Sequence, residues 1–321
     1  MYVAIRRPDG YVGKPAELGT DVFAMPVGNG SSTIPSLVSG FPVDMMTARA
    51  PAAAENWYIG SRLTGNKVLV TNNTDAETGF NSVLWDSNSG AWTGYASSSQ
   101  GWMWKRHAGF DVVAYKGNGV SGRQIPHSLS KSPEMIWLKN RTEAREWSVG
   151  HIGLDGGTNP WEHYIILNSS SDENGSLSNG VNVIWGNGAP SSTHFNVGNW
   201  NTVNENNKNH IAMLFSSISG ISKVGSYTGD DSDDGSHVID VGFTPRFLII
   251  KRTDGSADWK VYDTTNGFPT SGTANYLELN TTDARHTGGA TVTQTTNGFK
   301  LWSPGGPYNA NNAKYIYYAH A

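Results

Sequence analysis

Pro245-Arg246-Phe247-Leu248-Ile249-Ile250-Lys251-Arg252-Thr253 sets an unbroken apolar tetrad directly after a proline. A run this short and continuously apolar reads as a central strand covered on both faces, since a half-solvated strand would alternate. Two other stretches lie over it: Pro42 before VDMMTAR and Pro133 before EMIWLKNR. Eight residues beyond the basic position of each comes a lone tryptophan: Trp57, Trp147 and Trp259.

The correspondence extends in both directions. Upstream, a short strand runs into a Gly-containing turn at Val22-Phe23-Ala24, at Val112-Val113-Ala114-Tyr115 and at Val224-Gly225-Ser226-Tyr227. Downstream, Val68–Asn72, Tyr164–Asn168 and Tyr276–Asn280 each end in polar residues, where Asp75 and Asp283 align. Each copy then closes on a strand, at Trp102-Met103-Trp104, at Ile211–Phe215 and at Tyr315–Tyr318. A unit of this length is a whole domain rather than a solenoid repeat. The sequence therefore predicts an all-β chain of three tandem β-sandwich, jelly-roll-like modules at 19–109, 110–222 and 223–321. Residues 1–18 are expected to hold the closing strand of a preceding or partner module, Tyr2–Arg7, and a linker.

The composition agrees with many short strands and turns: 38 Gly, 12 Trp and 13 Tyr, with only 16% charged residues. Dipeptides such as Asn118-Gly119, Asn187-Gly188 and Asn297-Gly298 supply the positive φ that tight turns need. Glu278, between Leu277 and Leu279, suggests a strand with one wet face. Each lone tryptophan suits the inside of its own sandwich. Burying ~200 Å² of indole at about 25 cal/mol/Å² corresponds to roughly 5 kcal/mol gross.

The net charge of −4 argues against a nucleic-acid groove, and no apolar run is long enough to span a bilayer as a helix. With no Cys, disulfides and Cys-ligated metals are excluded. The histidines form no zinc motif, and His151 and His163 read as exposed loop residues. No G-x-S-x-G elbow is present, so the chain reads as a non-enzyme. The acidic run Asp230, Asp231, Ser232, Asp233, Asp234 begins like a calcium loop, but Val241 stands where a bidentate Glu belongs. It reads as a solvated hairpin tip, with a weak calcium site as the alternative. No other cofactor is implied. Trp161, Trp185 and Trp200 sit among Gly and Asn in the second module, where aromatics anchor an interface or stack on sugar.

The stretches YVAIRRPDGYVGKP, MWKRHAGFDVVAYKGNGVSGRQIPHSLSKSPEMIWLKNR, HIGLDGGTNPW and VGFTPRFLIIKRTDGSADWKVYD resemble a repeated domain family. That family occurs in virion structural and tail-fibre-like proteins of marine phages, including those infecting cyanobacteria. The resemblance implies a place in the extracellular virion and a longer native polypeptide, and it carries no catalytic or binding residues. The expected function is that of a phage virion structural protein, of tail-fibre or decoration type, acting by assembly and host-surface attachment. Its expected partners are other copies of itself, other virion proteins or a host surface glycan, with no nucleic acid and no membrane insertion. The alternatives are a carbohydrate-binding receptor module and a polysaccharide depolymerase.

Overall fold

In the computed structural model of the protein, Phe247–Arg252 is the third strand of a six-stranded antiparallel sheet, and Phe247 to Lys251 are buried. Phe247 and Ile249 join one apolar cluster, whereas Leu248 and Ile250 join another. Both faces of this strand are covered, as its unbroken apolar run requires. The structure describes residues 16, 18–178, 180–186, 188–290, 292–302 and 305–321. The expected strand Tyr2–Arg7 lies outside the described residues.

Three such sheets form, one in each segment, with the same strand order. An opening strand (Phe23–Ala24, Phe110–Lys116 or Ser222–Thr228) lies at one edge and pairs with the closing strand (Gln100–Trp104, Asn209–Phe215 or Lys314–His320). Next come the proline-led strand (Met45–Arg49, Met135–Asn140 or Phe247–Arg252) and the strand after the tryptophan (Tyr58–Ser61, Ser148–His151 or Lys260–Asp263). The fourth strand (Lys67–Val70, His163–Ile166 or Ala274–Glu278) follows. A short strand (Thr78–Gly79, Asn174–Gly175 or His286–Ala290) forms the other edge.

Against one face of each large sheet packs a small one. It consists of Leu37–Val38 with Gly90–Ala91, Arg123–Pro126 with His194–Val197, or His237–Asp240 with Gly298–Leu301 and Val292–Thr295. Each sandwich is therefore unequal, six strands against two or three. Its interior is a separate apolar cluster in each segment.

The opposite faces of the three large sheets meet in one shared core. That cluster takes Met45, Trp102 and Trp104 from the first segment, Met135 and Trp137 from the second, and Ile249 from the third, among others. Trp57, Trp147 and Trp259 all belong to it, each at most 1% exposed. They are core residues, but of the space between segments rather than of the individual sandwiches as expected. The reason is strand alternation: the tryptophan falls on the face turned away from the small sheet.

Candidate functional site

The contacts between segments are the most regularly built feature of the molecule. Each tryptophan is fixed by its own segment, its backbone N–H donating to Asn72, Asn168 or Asn280 Oδ1 at 2.8–2.9 Å. Its indole Nε1 then donates to another segment: Trp57 to Glu278 O at 2.8 Å, Trp147 to Val70 O at 2.9 Å, and Trp259 to Ile166 O at 3.0 Å. The three acceptors occupy equivalent places near the ends of the fourth strands. The first segment thus binds the third, the second the first, and the third the second.

A buried cation reinforces each seam. Arg49 Nη2 donates to Thr282 O at 3.2 Å, Lys139 Nζ to Thr74 O at 3.1 Å and Lys251 Nζ to Ser170 O at 3.2 Å. Burial lowers both lysine pKa values to about 8, because an ammonium loses hydration there. A backbone bond completes each set, from Glu77 N to Arg141 O, Glu173 N to Thr253 O and Arg285 N to Pro51 O. Every seam carries the same three bonds, so the ring is closed.

One position in this frame differs in chemistry from seam to seam. Ser61, His151 and Asp263 each lie four residues after their tryptophan, and all are buried. Ser61 Oγ donates within its own segment to Asp44 O. His151 Nε2 lies 3.2 Å from Tyr317 O of the third segment, while its Nδ1 accepts from Gly153 N, which makes the ring a neutral bridge. Burial pulls its pKa down to about 4, contrary to the exposed loop residue expected. Asp263 reaches the first segment, accepting from Gln100 Nε2 at 3.2 Å and Trp102 Nε1 at 3.1 Å, and also from Asn266. Desolvation raises its pKa, against the opposing effect of these donors.

The loop tryptophans separate into two kinds. Trp161 and Trp185 are 7% and 0% exposed and pack edge to face, with centroids 5.4 Å apart, over Gly150. A Cβ on Gly150 would stand 2.5 Å from the Trp161 ring and 2.7 Å from that of Trp185. Trp185 Nε1 donates to His163 O at 2.7 Å. These two are core of the second sandwich, which corrects their reading as interface anchors: flanking Gly and Asn let the chain turn inward as readily as outward. Trp200 remains 50% exposed, just before the short helix Asn201–Asn204.

The acidic run does not converge. Asp230 Oδ1 accepts from Ser232 N and Asn309 Nδ2, Asp231 from Gly305 N, and Asp234 from Ser236 N. These three carboxylates are spent on separate loop bonds, and among the described residues the four assemble no calcium cage. Among the described residues, the group of carboxylates and histidine that does converge is Glu278, Asp283 and His286. Glu278 is 6% exposed and ion-paired with Lys260, so the wet face expected there is dry. The aligned Asp75 and Asp283 were a sequence signal for this turn. Glu278 gave none, because its neighbours are apolar.

Residues 85–321 match a domain of unknown function, DUF7483. The chain belongs to the DUF7483 family. No curated protein and no solved structure matches it. The DUF7483 region contains the whole second and third large sheets together with the closing strand of the first. His151, Asp263 and the Glu278 cluster all fall inside it.

Proposed function

We propose that the three segments are copies of one unit closed into a ring, and that the chain serves as a non-enzymatic structural protein of a phage virion. The observation that carries the structural role is the shared core with its three equivalent latches. They join the segments to one another and use the large-sheet faces inside a single chain. The virion rests on the sequence resemblance. Assembly with other copies, other virion proteins or a host glycan then falls to the outer sheets and loops, where Val38, Val238 and Trp200 are about half exposed.

Cryo-electron microscopy of purified particles, with mass spectrometry of their proteins, tests this reading. The expected result is the chain present at fixed stoichiometry, contacting its neighbours through the outer faces. Absence from particles would sink the virion assignment, and catalytic release of sugars from host polysaccharide by the purified protein would sink the non-enzyme reading. The exposed Trp200 favours glycan attachment as a second reading. A glycan array on which Trp200→Ala binds as well as the parent would remove it.

A further inference from the structure

Glu278, Asp283 and His286 each bring one ligand atom to within 4.8 Å of the others. Glu278 ends the fourth strand of the third segment, Asp283 lies in the following turn, and His286 begins the edge strand. The three are held from different directions. Lys260 Nζ pairs with Glu278 Oε1, while Oε2 accepts from Thr281 Oγ1 at 3.3 Å and keeps its remaining lone pair on the side of His286. The His286 ring is stacked on Tyr276 at 4.6 Å and 9°. Asp283 is positioned through its carbonyl, which accepts from Arg49 Nη2 of the first segment at 2.7 Å.

Two observations point to a ligand between these groups. Among the described residues, the Nε2 atom of the partly exposed His286 is covered yet has no hydrogen-bond partner, and it lies 3.6 Å from Glu278 Oε2. That separation is too long for a hydrogen bond. It is close to the ~3.4 Å between two ligands of one tetrahedral zinc with bonds of about 2.0–2.1 Å. The second observation is the contrast with the other segments. The cross-strand pair Lys260–Glu278 replaces Tyr58–Val70 and Ser148–Ile166. Where Asp283 and His286 stand, the first segment has Asp75 and Thr78, and the second has Ser171 and Asn174. A buried ion pair adds little net stability over apolar residues, so stability alone gives no reason for a carboxylate here.

We propose that Glu278 Oε2, Asp283 and His286 Nε2 form a divalent zinc-class metal site with an open fourth position. The imidazole favours zinc over calcium or magnesium, which prefer all-oxygen shells. Lys260 acts as the outer partner that orients the glutamate. The metal fastens the third segment's turn at the seam where Arg49 and Trp57 dock, so its binding strengthens that seam.

Isothermal titration of the full chain with Zn²⁺ at neutral pH tests the site, together with the melting temperature of the metal-free form of each variant. The expected result is one saturable equivalent with a raised melting temperature. His286→Ala should weaken binding at least tenfold while the metal-free variant melts like the parent. Asp230→Asn and Asp234→Asn should leave binding intact, and Ca²⁺ should give no shift. Because Co²⁺ reports its coordination by visible absorption, the Co²⁺ form should show the intense bands of a tetrahedral site. No saturable Zn²⁺ binding, or equal binding by His286→Ala, overturns the proposal.

Discussion

The seam closed by His151 and the seam closed by Asp263 share one frame and respond to acid with opposite sign. Both carry the indole bond, the buried cation and the backbone bond already described, so their apolar parts are interchangeable in kind. The polar residue four positions after the tryptophan distinguishes them. His151 is held neutral against Tyr317 O, whereas Asp263 gathers donors from Gln100, Trp102 and Asn266. Near-equivalent apolar faces could pack in more than one order. A histidine at one seam and a carboxylate at another make those two seams chemically distinct.

The comparison is broken most severely by removing what the seams share. Trp147→Ala or Trp259→Ala should each destabilise the chain by about 3–5 kcal/mol in denaturant melts, from a cavity in the common core and an orphaned carbonyl. A loss of under 1 kcal/mol for either would show that the seams are not equivalent. Asp263→Asn comes next. It turns an amide N–H toward groups that already donate and should cost about 1–3 kcal/mol. The same substitution at Asp283, an exposed residue, should leave the metal-free fold unchanged; equal losses would remove the special standing of Asp263.

Acid sharpens the contrast. His151 has a folded pKa of about 4 against roughly 6.5 when unfolded. Between these values the unfolded chain binds the extra proton, so stability is present above pH 6.5 and is lost as pH falls toward 4. From pH 7 to pH 5 this amounts to about 2 kcal/mol. His210 and His320 are also buried with lowered pKa values, so the measurement is the difference between parent and His151→Gln in urea melts at the two pH values. Asp263, with its pKa raised, acts the other way: its contribution is greatest in acid and declines as pH rises through its folded pKa. An unchanged acid limb in His151→Gln would refute the seam assignment.

The smallest effect is expected outside the seams. Trp200→Ala should change stability by no more than about 0.5 kcal/mol, because that ring is half in solvent. Trp185→Ala should cost several times as much, about 3–5 kcal/mol. Similar melting temperatures for the two would contradict the division of the loop tryptophans into one exposed and two buried.

The places of the strands along the chain could be anticipated from particular residues. The tetrad Phe247–Ile250, the lone tryptophans and the closing strands mark elements that all appear where expected, because local alternation and turn chemistry act over a few residues. The sites were harder to read. Trp161 and Trp185 have the same Gly- and Asn-rich surroundings as Trp200, and Gly150 beneath them is distant in sequence from both. Glu278 looks solvated by its neighbours until Lys260, on the adjacent strand, is placed beside it.

The sequence by itself determined the all-β class, the positions of the strands and the buried character of Trp57, Trp147 and Trp259. Those properties follow from side-chain alternation and backbone preference, which are local. Only the tertiary structure decided that the three large sheets face one another, and that each tryptophan bonds to a neighbouring segment. It also decided that Glu278, Asp283 and His286 converge. A strand's pattern states that both faces must be covered, but the identity of the covering surface depends on contacts between residues far apart in the chain, such as Arg49 and Asp283, 234 positions apart.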